Sequence, residues 1–66
     1  MSVLKVIEVL AESSKSWEDA ANVAVLKATE SLHGIKSIYI QEFEAQVEDG
    51  KIAKYRINAK ISFALD

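Results

Sequence analysis

The chain has 66 residues, half of them hydrophobic and 27% charged, with eight basic and ten acidic side chains, one histidine, no cysteine and no proline. That balance excludes a disordered tail, a disulfide scaffold or thiolate site and the basic excess of a nucleic-acid binder. No apolar run approaches the roughly 20 residues of a membrane span, and Lys5 and Glu8 interrupt the N-terminal stretch where a signal peptide would be uniformly apolar. The expectation is one domain over residues 1–66, cytoplasmic, with neither nucleic acid nor membrane as partner. A core this small supplies only a few kcal/mol, so self-association is the first positive expectation.

Residues 2–10 (SVLKVIEVL) are β-branched with isolated charges, the pattern of a strand, and residues 11–15 read as a polar connection. Ser16-Trp17-Glu18-Asp19 fits a capping box in which Ser16 accepts from the backbone and Asp19 reaches back. Glu18 and Asp19 also suit the positive end of a helix dipole. Trp17, Ala21, Ala24, Val25, Ala28 and Leu32 recur at helical spacing and predict a helix over residues 17–32. Val23 and Leu26 lie off that stripe and predict a second buried flank. His33-Gly34 ends the helix, with Gly34 in the left-handed C′ conformation. The period then switches to two. Residues 35–48 and 52–65 read as long strands, joined at Asp49-Gly50, a two-residue hairpin signal.

A two-residue turn pairs Glu48 with Lys51, Val47 with Ile52, Phe43 with Arg56 and Tyr39 with Lys60. One face then collects Ile38, Ile40, Ile57, Ala59 and Ile61, suited to lie under the helix. The other collects Tyr39, Phe43, Val47 and Ile52 among Lys54, Arg56 and Lys60. A three-residue loop would instead set Glu44 across from Arg56; the Asp-Gly signal favours the shorter turn. The apolar residues left on the second face need another subunit to cover them.

No catalytic motif accompanies His33, which reads as a residue of the helix C-terminus, and Gly34 and Gly50 form no phosphate loop. Trp17, on the helix stripe, reads as a packing residue. Tyr39 and Phe43 read as interface aromatics or, second, as a platform for a planar ligand. Glu42, Glu44, Glu48 and Asp49 concentrate carboxylates near the hairpin. They suit salt bridges to Lys51, Lys54 and Arg56, or a hard-cation site assembled about a symmetry axis.

The order β-α-β-β in a chain of this length carries a resemblance. Val3-Leu4-Lys5-Val6-Ile7-Glu8-Val9 opens it, Ser16-Trp17-Glu18-Asp19-Ala20-Ala21 starts the helix, and Asp49-Gly50-Lys51-Ile52 and Tyr55-Arg56-Ile57-Asn58-Ala59-Lys60-Ile61-Ser62-Phe63-Ala64-Leu65 complete it. This combination resembles the dodecins. The resemblance implies an α+β fold, a three-stranded antiparallel sheet partly wrapped around one helix, assembling as a hollow homododecamer. It further implies a non-enzymatic protein that stores or sequesters flavins (riboflavin, lumichrome or FMN) in pairs near twofold axes. The family's stacking Trp in the second strand corresponds to Ser37, and its hydrogen-bonding Gln in the third strand to Arg56. Those two are the cofactor-binding positions that the resemblance implies, with Arg56 suited to a phosphate. Relatives without the Trp are described as calcium-binding. A flavin-free shell with a Ca²⁺-binding or purely structural role is thus the alternative.

Overall fold

The structure is a computed structural model and describes residues 2–65. Its elements follow the expected order: β1 (Leu4–Ser13), α1 (Trp17–Thr29), β2 (Ile35–Glu48) and β3 (Lys51–Ala64). The strands form one antiparallel sheet in the order β1-β3-β2, with β3 in the centre. Central placement suits the strand whose alternation is clearest, because both of its edges are paired. The helix lies across one face. Ile57, Ala59, Ile61 and Phe63 of β3 are buried beneath it with Ala20 and Ala24, and Val9, Ala11, Trp17, Ala21, Ile38 and Ile40 pack around them. Alanines on the helix let its backbone approach the sheet closely.

Three boundaries differ from the sequence reading. Residues 11–13 belong to β1 rather than to a connection: Ala11, Glu12 and Ser13 pair with Ile57, Arg56 and Tyr55. Ladder pairing, half-burial of Ala11 and burial of Ser13 override their weak strand propensity. The helix ends at Thr29 instead of residue 32, and residues 30–31 form a turn in which Ser31 and Leu32 both donate to the Ala28 carbonyl. Gly34 does take a positive φ of 68°, but it opens β2, its carbonyl accepting from the Ala64 amide at 2.9 Å, rather than capping the helix. His33 correspondingly lies exposed in the link beyond the helix.

The helix start is half of the expected box. The Asp19 amide donates to Ser16 Oγ at 2.9 Å, as an N-cap requires. The Asp19 carboxylate, however, accepts from Ser13 Oγ at 2.6 Å, and Ser13 Oγ in turn receives the Lys15 and Ser16 amides. Buried Ser13, at the end of β1, thereby ties strand to helix. Val23 and Leu26 bury no second flank within the chain; both are exposed.

The hairpin holds the main correction. The turn has two residues, with Asp49 at φ 53° and Gly50 at φ 73°, the positive pair that a type I′ turn needs. Glu48 pairs with Lys51 and Val47 with Ile52 as expected, but Ala53 is an extra residue that shifts the register by one. Glu44 consequently faces Arg56, and Phe43 faces Ile57 on the helix side. An extra residue on β2, Gln41, restores the register, so Tyr39 does pair with Lys60. Beyond the end of β1 the hairpin continues as an arm carrying exposed Val47 and Ile52, which contributes to an elongated outline of 50 × 20 × 13 Å.

Candidate functional site

The sheet face away from the helix is built from alternate residues of all three strands. Across it run the rows Val6–Ser62–Ser37, Glu8–Lys60–Tyr39, Leu10–Asn58–Glu42 and Glu12–Arg56–Glu44. The last row is an ion clamp. Arg56 Nη2 donates to Glu12 Oε2 at 3.1 Å and Nη1 to Glu44 Oε1 at 3.3 Å. Cross-strand opposition on both sides of a central strand is what lets one guanidinium meet two carboxylates. The hydrogen bond and charge of Glu12, followed by those of Glu44, hold the guanidinium above its already high pKa against opposing desolvation. Arg56 therefore has both terminal nitrogens engaged, and the expectation that it attracts a phosphate does not describe its state here.

One row further along, Asn58 Nδ2 donates to Glu42 Oε1 at 3.4 Å, and its Oδ1 is buried without a hydrogen-bond partner among the described residues. Leu10, Glu42, Phe43, Glu44, Arg56 and Asn58 line a depression of about 200 Å³. Glu12 and Asn58 went unremarked as site residues in the sequence. The alternation Glu8-Leu10-Glu12 continuing past residue 10 was the available signal for the first, and nothing local marks the second.

Ser37 and Arg56 do share this face, but not a pocket within one chain. Ser37 pairs with Ser62, their hydroxyls hydrogen-bonded, and Ser62 is six residues from Arg56 along β3, roughly 20 Å at strand rise. A seryl hydroxyl offers no stacking surface at the position where the resemblance implies a Trp. Tyr39, exposed and two residues on, is the aromatic of this face. Phe43 is not: it meets Trp17 edge-on at 5.8 Å, and Trp17 also meets Tyr55 at 4.9 Å while donating from Nε1 to the Glu44 carbonyl at 2.9 Å. Trp17 is thus a packing residue that fastens the helix start to β2 and β3. The hairpin carboxylates do not converge: Glu42 turns to Asn58 and Glu44 to Arg56, Glu48 lies opposite Lys51, and no group of three acidic or imidazole side chains arranged to hold a metal exists among the described residues. Nor is any helix among them long and apolar enough to cross a membrane.

On the opposite side, a groove of about 500 Å³ runs between α1 and β1, lined by apolar side chains including Ile7, Val9, Val23 and Leu32.

Comparison with known proteins agrees with this architecture. The dodecin family model matches residues 3–66. The calcium dodecin of Mycobacterium tuberculosis is 37% identical over 65 residues, covering 98% of this chain and 92% of that protein. Its crystal structure, that of a calcium-chelating antigen with a novel calcium-binding site, superimposes with a TM-score of 0.84 at 39% identity over 98% of this chain and 93% of that one. A dodecin from Streptomyces coelicolor superimposes at 0.94 with 26% identity, covering 98% of this chain and 93% of the other. A variant of the T. thermophilus dodecin reaches 0.95 at 20% identity, covering 100% and 98%, a likeness of fold. With the β-α-β-β order, the wrapped helix and the family match all spanning nearly the whole chain, this protein belongs to the dodecin family.

Proposed function

We propose that this chain forms a homododecamer that binds or sequesters a small ligand without turning it over, and that the ligand its geometry favours is a divalent cation, Ca²⁺, over a flavin. Assembly is supported by apolar surface that a single chain leaves open: Leu10 is 71% exposed and Phe43 64%, with Val23, Leu26, Val47 and Ile52 also accessible. The observation that carries the choice of ligand is the outer sheet face, where Ser37 is tied to Ser62 and Arg56 is engaged by Glu12 and Glu44. Neither position presents an aromatic ring to stack on, and both terminal nitrogens of Arg56 already serve carboxylates. The same face offers carboxylate oxygens at Glu8, Glu12, Glu42 and Glu44, the hard donors that Ca²⁺ takes in sets of six to eight. Because no three carboxylates converge among the described residues of one chain, a cation site here draws oxygens from more than one copy. The 37% identity to a protein named calcium dodecin points the same way. Flavin binding is the second reading; exposed Tyr39, on the face that also carries Ser37, is the observation in its favour.

Calcium binding to the assembled state raises its melting temperature in proportion to the logarithm of free Ca²⁺. The expected result is a Ca²⁺-dependent increase that EDTA reverses, together with little quenching of riboflavin fluorescence. Ser37→Trp is expected to raise riboflavin affinity several-fold to about tenfold, the worth of one aromatic stack. Thermal stability unmoved by Ca²⁺ and EDTA, with strong riboflavin quenching by the unmodified protein, reverses the order of the two readings.

A further inference from the structure

The two carboxylates on Arg56 occupy two of its five N–H donors, one on each terminal nitrogen. Resting on the reading that the outer sheet face holds the small ligand, we propose that Glu12 and Glu44 make this face select against anions, and above all against phosphate-bearing ligands. Arg56 is the sole arginine of the chain, and the planar fork of a guanidinium is the side chain that grips phosphate bidentately. Here its two terminal nitrogens point at separate carboxylates, at 3.1 and 3.3 Å. The row Glu12–Arg56–Glu44 carries one positive and two negative charges, so an approaching phosphate meets a net negative site whose two carboxylates compete with it for the guanidinium.

The neighbouring row reinforces this. Asn58 has its amide nitrogen on Glu42 and turns a lone-pair oxygen, Oδ1, inward without a donor. An anion placed in the depression beside it faces the carboxylates of Glu42 and Glu44. Lys60 stands two positions away on the same strand face, but between Glu8 and Tyr39, where its charge already has a carboxylate opposite. The clamp is also only partly shielded from water, the Arg56 side chain being 30% exposed and those of Glu12 and Glu44 40% and 65%. Removing a carboxylate therefore frees the guanidinium without opening the core.

Riboflavin and FMN differ by a single phosphate and so report charge selection separately from ring binding. The experiment titrates both by fluorescence quenching, at low ionic strength, against the unmodified assembly, Glu44→Gln, Glu12→Gln with Glu44→Gln, and that pair combined with Arg56→Met. The double variant is expected to bind FMN about tenfold or more tightly than the unmodified protein does, the worth of one charge-assisted hydrogen bond, while riboflavin binding stays unchanged. Glu44→Gln alone gives a smaller gain and serves if the double variant does not assemble. Adding Arg56→Met abolishes the gain. An FMN affinity unchanged by the substitutions, including no FMN binding before or after them, overturns the proposal, as does an equal gain for both flavins. Failure of the ligand reading is distinguishable: an unmodified protein indifferent to Ca²⁺ and riboflavin, whose double variant nevertheless gains FMN, retains the selection and loses the sequestration.

Discussion

The two faces of the sheet share the same three strands yet obey different rules. On β3, Ile57, Ala59 and Ile61 are fully buried under the helix, whereas Arg56, Asn58 and Lys60, their immediate neighbours, form the open face. The helix side is completed within the chain, since Ala20 packs with Ile57 and Ala59 of β3 and Trp17 fastens one end. The open side is completed only where charges find partners across strands, as at Glu12–Arg56–Glu44; Leu10, one row away, has no cover. The contrast shows how a single alternating strand divides labour, one parity building a fold and the other building a surface that the chain leaves open.

The comparison breaks most severely at its buried side. Ile57→Ala removes a fully buried side chain that faces Phe43 and Ala11 across the ladder, and the expected loss is about 2–5 kcal/mol, transfer and cavity together. Denaturant unfolding at fixed protein concentration measures it, and a loss well under 1 kcal/mol would mean that the site collapses freely and the core is not where burial places it. Next comes the exposed border between the faces. Phe43→Asp sets a charge where an aromatic ring leans on Trp17 and is otherwise open, so native mass spectrometry should show species smaller than twelve chains while circular dichroism retains the fold. A twelve-chain mass at parental abundance would show that this edge lies outside the interfaces. The smallest effect belongs to the helix start: Ser16→Ala removes the acceptor of the Asp19 amide and should cost about 1 kcal/mol in the same unfolding assay. Because Ser13 independently holds the Asp19 carboxylate, the helix itself persists.

Much of the fold was legible. Period-two alternation over residues 52–65 identified the central strand, the Asp49-Gly50 pair located a two-residue turn, and Ser16 marked the helix start, each because the signal is local: pleat, positive φ and an N-cap acceptor are properties of a few adjacent residues. The site was less legible. Ser37 and Arg56 lie on one face, but their separation along β3 depends on which residue of β2 lies opposite which residue of β3, and that depends on bulges. The extra Ala53 carries no distinctive composition, yet it moved Phe43 to the helix side and brought Glu44 to Arg56.

The order of elements, the polarity of alternate residues and the identity of the turn followed from the sequence alone, because backbone stereochemistry and hydrophobic period act over short range. The length of β1, the register of the hairpin and the grip of Glu12 and Glu44 on Arg56 were decided only by the tertiary structure. These depend on free energy shared between segments far apart in the chain: β1 continues to Ser13 because Tyr55 and Arg56 are there to pair with it, and β2 slips by one because the bulge lets Phe43 lean on Trp17 while Glu44 reaches Arg56.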